Sequence, residues 1–272
     1  MGYNLPILAY HKVDHRRELG LTSLSPQRFE KQIRFLKHSG FTSISPQPLL
    51  SYAANTSSLT KPVLITFDDG YEGIYKYVYP VLKEYAFTAI IFVTTGYVGR
   101  YNNWDSSPGP RFRHLDWSHI REMADCGIWF GSHGVNHAFL TRRSDSAARY
   151  EVEASKKCLE DRLGQPVRFF SYPYGDYDDR IVNLVQEAGY KAAFCLRPEF
   201  LKAGYTNGRR AVYALPRIGI YLLDNMWIFK AKIGCARNGS LPYTQKLMNR
   251  LINRCAYASM LVERLGPKES DQ

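Results

Sequence analysis

The chain has 272 residues, 45% of them hydrophobic and 14% aromatic, which supports a substantial core and excludes a disordered polymer. Its formal charge of +11, from 36 basic and 25 acidic residues, favours an acidic partner, yet the basic residues are scattered and form no long run, which argues against a nucleic-acid interface. The five cysteines, Cys126, Cys158, Cys195, Cys235 and Cys255, include no CxxC pair; they exclude a disulfide scaffold or zinc ribbon and read as buried thiols in a reducing compartment.

Leu5–Tyr10 reads as a strand, and Ser25-Pro26-Gln27 opens a helix with Phe29, Ile33, Phe35 and Leu36 on one side, ended by Gly40. Lys12 and His15 come too early for the apolar core of a signal peptide. Val63–Phe67 is a second strand, Tyr75–Tyr85 a helix and Thr88–Val93 a third strand. Gly96–Leu115, rich in Gly, Pro, Asn and Arg, reads as a long loop. Trp117–Cys126 is helical and leads through Gly127 into the strand Ile128–Gly131. A long helix over Ser144–Leu163, a strand at Val167–Tyr172, a helix at Asp179–Ala188 and strands at Ala192–Leu196 and Pro216–Ile220 complete the pattern. Strand–helix–strand alternation at this spacing predicts parallel βαβ units, an α/β fold closed into a (β/α) barrel of about seven strands. The barrel is expected over residues 1–220, followed by a basic, mainly helical extension over 221–272 that includes Lys246–Leu265. No segment approaches the about 20 apolar residues that span a bilayer. The chain therefore reads as cytoplasmic, with the C-terminal region as a candidate contact for a membrane surface or a biosynthetic complex.

In such barrels the reactive groups sit at the C-terminal strand ends. Asp68 and Asp69 follow the second strand, His133 follows the strand at Ile128, Tyr174 the strand at Val167, and His11 ends the first. His133 and His137 have the i, i+4 spacing of HExxH zinc sites, but Gly134 stands where those sites carry Glu, so a base must come from elsewhere. Adjacent acids after a strand can be a simple turn. Beside two imidazoles they acquire another use: one carboxylate completes a three-ligand catalytic metal site and its neighbour accepts a proton from water.

TFDDG at Thr66–Gly70, HGVNH at His133–His137 and SYPYG at Ser171–Gly175 resemble, in order and spacing, the first three motifs of the polysaccharide deacetylase family, the NodB-homology or carbohydrate esterase 4 group. The resemblance covers roughly residues 4–220. It implies a distorted NodB-type barrel and metal-dependent removal of acetyl groups, mostly N-acetyl groups on amino-sugar polymers. Carried over, it implies Asp68 as catalytic base, Asp69, His133 and His137 as metal ligands, and the Tyr174 backbone N–H as an oxyanion donor. Zn²⁺ is the first expectation, and Co²⁺, Ni²⁺ or Fe²⁺ suit the same ligands.

Three departures stand out. Gly134 replaces the Ser or Thr whose hydrogen bond tightens the second motif. Phe170-Ser171 stands where the third motif has an Arg that braces the base, and Arg217 in LPRIGI is the candidate replacement, carried also as a substrate contact. The C-terminal Leu-x-His motif that supplies the acid is missing, since no histidine follows His137. His11 in LAYHKV is the candidate acid, and this placement is similar to the branch that deacetylates poly-β-1,6-N-acetylglucosamine. His15, His38, His114 and His119 read as solvated or structural; Trp104, Tyr101 and Trp117 are candidate sugar-stacking aromatics. The expected partner is an acetylated amino-sugar polymer or oligosaccharide. The alternatives are an esterase or amidase acting on another acetylated substrate with the same site, or a carbohydrate-binding module without turnover.

Overall fold

The computed structural model describes residues 5–16, 22–50, 60–103, 110–196 and 212–238, with side chains through residue 234. The strands are β1 (Ile7–Tyr10), β2 (Lys12–Val13), β3 (Ser23–Leu24), β4 (Thr42–Ser43), β5 (Pro62–Phe67), β6 (Ile90–Val93), β7 (Trp129–Ser132), β8 (Phe169–Ser171), β9 (Ala192–Cys195), β10 (Leu215–Pro216) and β11 (Ile218–Gly219). The helices are α1 (Pro26–His38), α2 (Tyr79–Glu84), α3 (Trp117–Asp125), α4 (Asp145–Leu163), α5 (Asp179–Glu187) and α6 (Met226–Asn238). One sheet runs β10-β9-β8-β7-β6-β5-β1-β11, with every pair parallel. This is the expected distorted (β/α) barrel, with eight strands along the path rather than about seven.

The extra strand comes from one residue. The expected strand Pro216–Ile220 divides at Arg217: Leu215 and Pro216 pair with β9, whereas Ile218 and Gly219 pair with β1. The ring is completed along the chain through Arg217, whose N–H donates to the Cys195 carbonyl, while Ile220 N–H donates to the Ala9 carbonyl.

Strand alternation sorts side chains into two buried clusters. Leu64, Phe92, Phe169 and Phe194 pack together on one side, while Ile65, Ile91, Phe170 and Ala193 join the layer that also holds helix residues such as Phe29, Ile33, Ile120, Val152 and Val185. The period carries Thr66, and after it Asp68, to the side of Leu64. Ser25 caps α1 through its side chain and Pro26 occupies the first turn, as the Ser-Pro signal predicts.

The helix expected over Tyr75–Tyr85 is a π-helical turn at Ile74–Val78 running into α2. Pro80 has no N–H for the Lys76 carbonyl, and the Tyr79 N–H reaches back to the Ile74 carbonyl, so the ladder slips by one residue there. The described part of the long loop is tied to the turn after β5 by an antiparallel bridge, Tyr71–His114, and closes on itself by another, Tyr101–Arg113. The Lys246–Leu265 segment and Cys255 lie outside the described residues. Helix α6 packs on α1 through Phe229 and Phe35, and buried Lys232 donates to the Gly219 carbonyl and to Asp224. Cys126, Cys158 and Cys195 are free thiols, but of these only Cys195 is buried: Cys158 is half-buried and Cys126, at the C-cap of α3, is exposed, while the Cys235 side chain lies outside the described residues. Among the described residues no helix is long and apolar enough to cross a membrane.

Candidate metal and catalytic centre

Asp68 and Asp69 leave β5 in different directions because the backbone turns between them. Asp69 adopts a left-handed conformation, φ 69°, and Gly70 follows at 75°, a turn that Asp tolerates and Gly favours. Two further site residues, His137 and Tyr174, also have positive φ, at 57° and 56°. Strain of this kind persists where surrounding contacts over-determine it.

Asp69, His133 and His137 are all buried and offer ligand atoms within 4.8 Å of one another. Oδ1 of Asp69 lies 3.5 Å from His133 Nε2 and 3.2 Å from His137 Nε2. His133 Nδ1 lies 2.7 Å from the Ser171 carbonyl, which can only accept, so Nδ1 carries a proton, and in the neutral ring Nε2 presents a lone pair to a metal. A neutral imidazole lone pair facing a buried carboxylate oxygen is repulsive unless a proton or a metal cation stands between them. The two spacings to Asp69 match the about 3.4 Å between ligand atoms held about 2.1 Å from a tetrahedral ion. The donor set thus fits a divalent cation. With no cation bound the two imidazoles serve as protonated donors instead: burial raises the Asp69 carboxyl, but hydrogen bonds from His133 and His137 outweigh it and hold it well below the usual range.

Asp68 meets a different partner. Arg217 Nη1 donates to Asp68 Oδ1 at 2.8 Å and Nη2 to Oδ2 at 2.7 Å, a two-pronged pair. The same guanidinium donates to Thr66 Oγ1 at 3.1 Å and Ser171 Oγ at 2.8 Å, and lies over the Phe92 ring. Arg217 is 1% exposed. Ser171 therefore does two things: its small side chain leaves space for, and a hydrogen bond to, an arginine arriving from the opposite end of the chain, and its carbonyl orients His133. Burial pushes the Asp68 carboxyl up, but Arg217, then His133 and His11, bring it below the usual carboxylate range.

His11 Nε2 stands 3.8 Å from Asp68 Oδ2, and His11 Nδ1 is buried without a partner. Burial lowers the His11 pKa, and the Asp68 and Asp69 charges offset this only in part. The Tyr174 ring packs edge-on to His137, 4.4 Å between centroids, and stacks on Phe139 at 3.7 Å. The structure thus brings Asp68, Asp69, His11, His133, His137, Tyr174 and Arg217 to one rim. Trp104 lies outside the described residues. Tyr101 is half-exposed, whereas Trp117 is packed against the core beneath the Arg162 guanidinium. His114 is buried, stacked on Tyr71, and hydrogen-bonded to the Arg100 carbonyl; burial lowers its pKa to about 4.

The residue that sequence reasoning misses is Glu151. It comes from α4, is 5% exposed, and accepts from Val135 N at 2.7 Å, Asn136 N at 2.8 Å and Asn136 Nδ2 at 2.7 Å. Its signal is a charge on the buried stripe Ala148, Val152, Ser155, Leu159. Gly134 is explained by the same contact: with φ at 81°, a Cβ there would stand 2.9 Å from Glu151 Oε2.

The polysaccharide deacetylase family matches residues 56–193, half of the chain, and this chain belongs to it. The poly-beta-1,6-N-acetyl-D-glucosamine N-deacetylase of Staphylococcus aureus (strain MSSA476) is 28% identical over 214 residues, 74% of this chain and 69% of that one. Among solved structures, the Streptococcus pyogenes deacetylase PplD, in complex with acetate, superposes with a TM-score of 0.67 at 27% identity, covering 80% of this chain and 92% of that one. IcaB from Ammonifex degensii gives 0.70 at 25% identity, covering 86% and 97%.

Proposed function

We propose that the chain is a metal-dependent hydrolase that removes N-acetyl groups from an amino-sugar polymer of the poly-N-acetylglucosamine kind. The observation that carries this reading is a three-ligand cluster set beside a second, ionised carboxylate held by a buried guanidinium. A binding module without turnover has no use for such a base. The substrate class rests on the name of the S. aureus relative.

Asp69, His133 and His137 would hold the cation, with Zn²⁺ first and Co²⁺, Ni²⁺ or Fe²⁺ compatible with the same donors. When bound, it supplies Lewis-acid activation of water and of the acetyl carbonyl. Asp68, kept ionised by Arg217, accepts a proton from the attacking water. The Tyr174 backbone N–H is assigned to the developing oxyanion, a contact worth about 3–4 kcal/mol in comparable sites. His11 passes a proton to the departing amine nitrogen. Burial makes it release that proton readily, and the Asp68 charge at 3.8 Å allows it to be held beforehand.

The test is acetate release from β-1,6- and β-1,4-linked N-acetylglucosamine oligomers and from O-acetylated sugars, with and without chelator. We expect release from the β-1,6 oligomers, abolished by chelator and restored by Zn²⁺. Release from O-acetyl esters alone would make the protein an esterase, and no release from any substrate by the Zn²⁺-loaded protein would retire the enzyme reading. His11→Ala should lower kcat by about 10²–10⁴-fold with metal content unchanged. A fully active His11→Ala protein would send the acid role elsewhere.

A further inference from the structure

The segment between the two histidine ligands is not shaped by its own preferences. Gly134 and His137 both take left-handed backbone, which glycine adopts freely but which is sparsely populated for His137. What holds the segment comes from outside it. Ser132 Oγ accepts from Gly134 N at 3.2 Å, and Ser132 Oγ–H in turn donates to Ser155 Oγ of α4 at 2.7 Å. One turn earlier on the same helix, Glu151 takes the N–H groups of Val135 and Asn136 on a single oxygen, Oε2, and the Asn136 amide on Oε1. The carbonyls of Gly134 and Val135 are held from the other side by the N–H groups of Thr95 and Gly96.

Glu151 is a buried acid, and among the described residues no cation pairs with it. A buried carboxylate without a counter-charge is costly, and here backbone dipoles, a nest of consecutive N–H groups, take the place of a cation. Those dipoles belong to the residues immediately between the two ligands. A charge seated on a helix and bonded to three donors of a five-residue loop restricts that loop more than a single hydroxyl does.

We propose that Glu151 is a positioning residue for the metal centre: its carboxylate sets the His133–His137 loop so that both imidazoles reach Asp69, replacing the Ser or Thr that normally tightens this motif. It touches neither substrate nor the reacting atoms. A Cβ at position 134 would stand 2.9 Å from Glu151 Oε2 and crowd the carboxylate where it meets the loop. The inference rests on the metal-dependent reading above and adds to it the group that organises the ligands.

The experiment measures Zn²⁺ affinity of the full chain, stripped of metal, by competition with a chromophoric chelator. It also records the visible spectrum of the Co²⁺ form and the melting temperature in excess chelator. Glu151→Gln should weaken Zn²⁺ binding about 10-fold and Glu151→Ala about 100-fold, with altered Co²⁺ bands, the range found for residues that orient metal ligands. Asn136→Ala, at an exposed position, removes only the third contact and should cost about 2-fold. If Glu151→Ala does not fold, Glu151→Gln and Asn136→Ala decide. Zn²⁺ affinity and Co²⁺ bands unchanged in folded Glu151 variants whose melting temperature falls would make Glu151 a packing residue and overturn the proposal. Failure of the unsubstituted protein to bind Zn²⁺ would overturn the underlying reading as well.

Discussion

Asp68→Asn should reduce acetate release by about 10³-fold or more while the protein still binds close to one equivalent of metal. The substitution keeps the shape of the side chain and removes its basicity, and a positioned base contributes about 10²–10⁴-fold. One of the two Arg217 contacts survives, because the amide carbonyl still accepts. The amide NH₂ then faces a guanidinium N–H, an unmatched donor pair costing about 1–3 kcal/mol. A modest fall in melting temperature should therefore accompany the loss of rate, and metal content separates the two effects. Loss of metal in this variant would mean that Asp68, not Asp69, is the ligand.

The second large effect concerns Arg217. Arg217→Met would leave a buried carboxylate without its counter-charge, a loss of about 3–5 kcal/mol by comparison with other broken buried pairs. The sign with pH is definite. In the unsubstituted protein the Asp68 pKa is below its usual value, so Asp68 contributes stability above its unfolded-state pKa of about 3.9 and loses it as pH falls through the folded value. Without Arg217 the largest single influence, burial, acts with less opposition, and the pKa moves upward. The acid limb of kcat/KM should then shift to higher pH, and the variant should lose relatively less stability under acid conditions than the parent. Arg217→Lys, with one point of charge instead of a fork, should fall between the two. An acid limb unchanged in Arg217→Met would show that Arg217 does not set the state of Asp68.

How much of this was legible in sequence depended on how far each contact reaches. The motif residues stand out because a metal site and a base need particular residue types at strand ends, and β5, β6, β7 and β9 are apolar runs long enough to carry a period. The two-residue strands β2, β3 and β4 have no period, and only pairing partners reveal them. Arg217 was half-legible. The missing Arg before Tyr172 created a vacancy, but nothing local to LPRIGI says that its strand changes partners there. Glu151 was legible only as an oddity, a charge on a buried stripe, since its use depends on a loop 15 residues away. The π turn depends on Pro80, which breaks the ladder inside an otherwise helical pattern without marking where the slip falls.

The division of the last strand at Arg217 also bears on how the protein is made. The partner of Asp68 lies 149 residues further along the chain. Until that segment has emerged from the ribosome and slotted between β9 and β1, the nascent sheet keeps two open edges and an acid with no guanidinium beside it. Such a distant closure is a late and slow event in assembly. The proposed base therefore lacks its counter-charge through most of synthesis, and the same residue that ends the vulnerable period by sealing the ring also completes that pair.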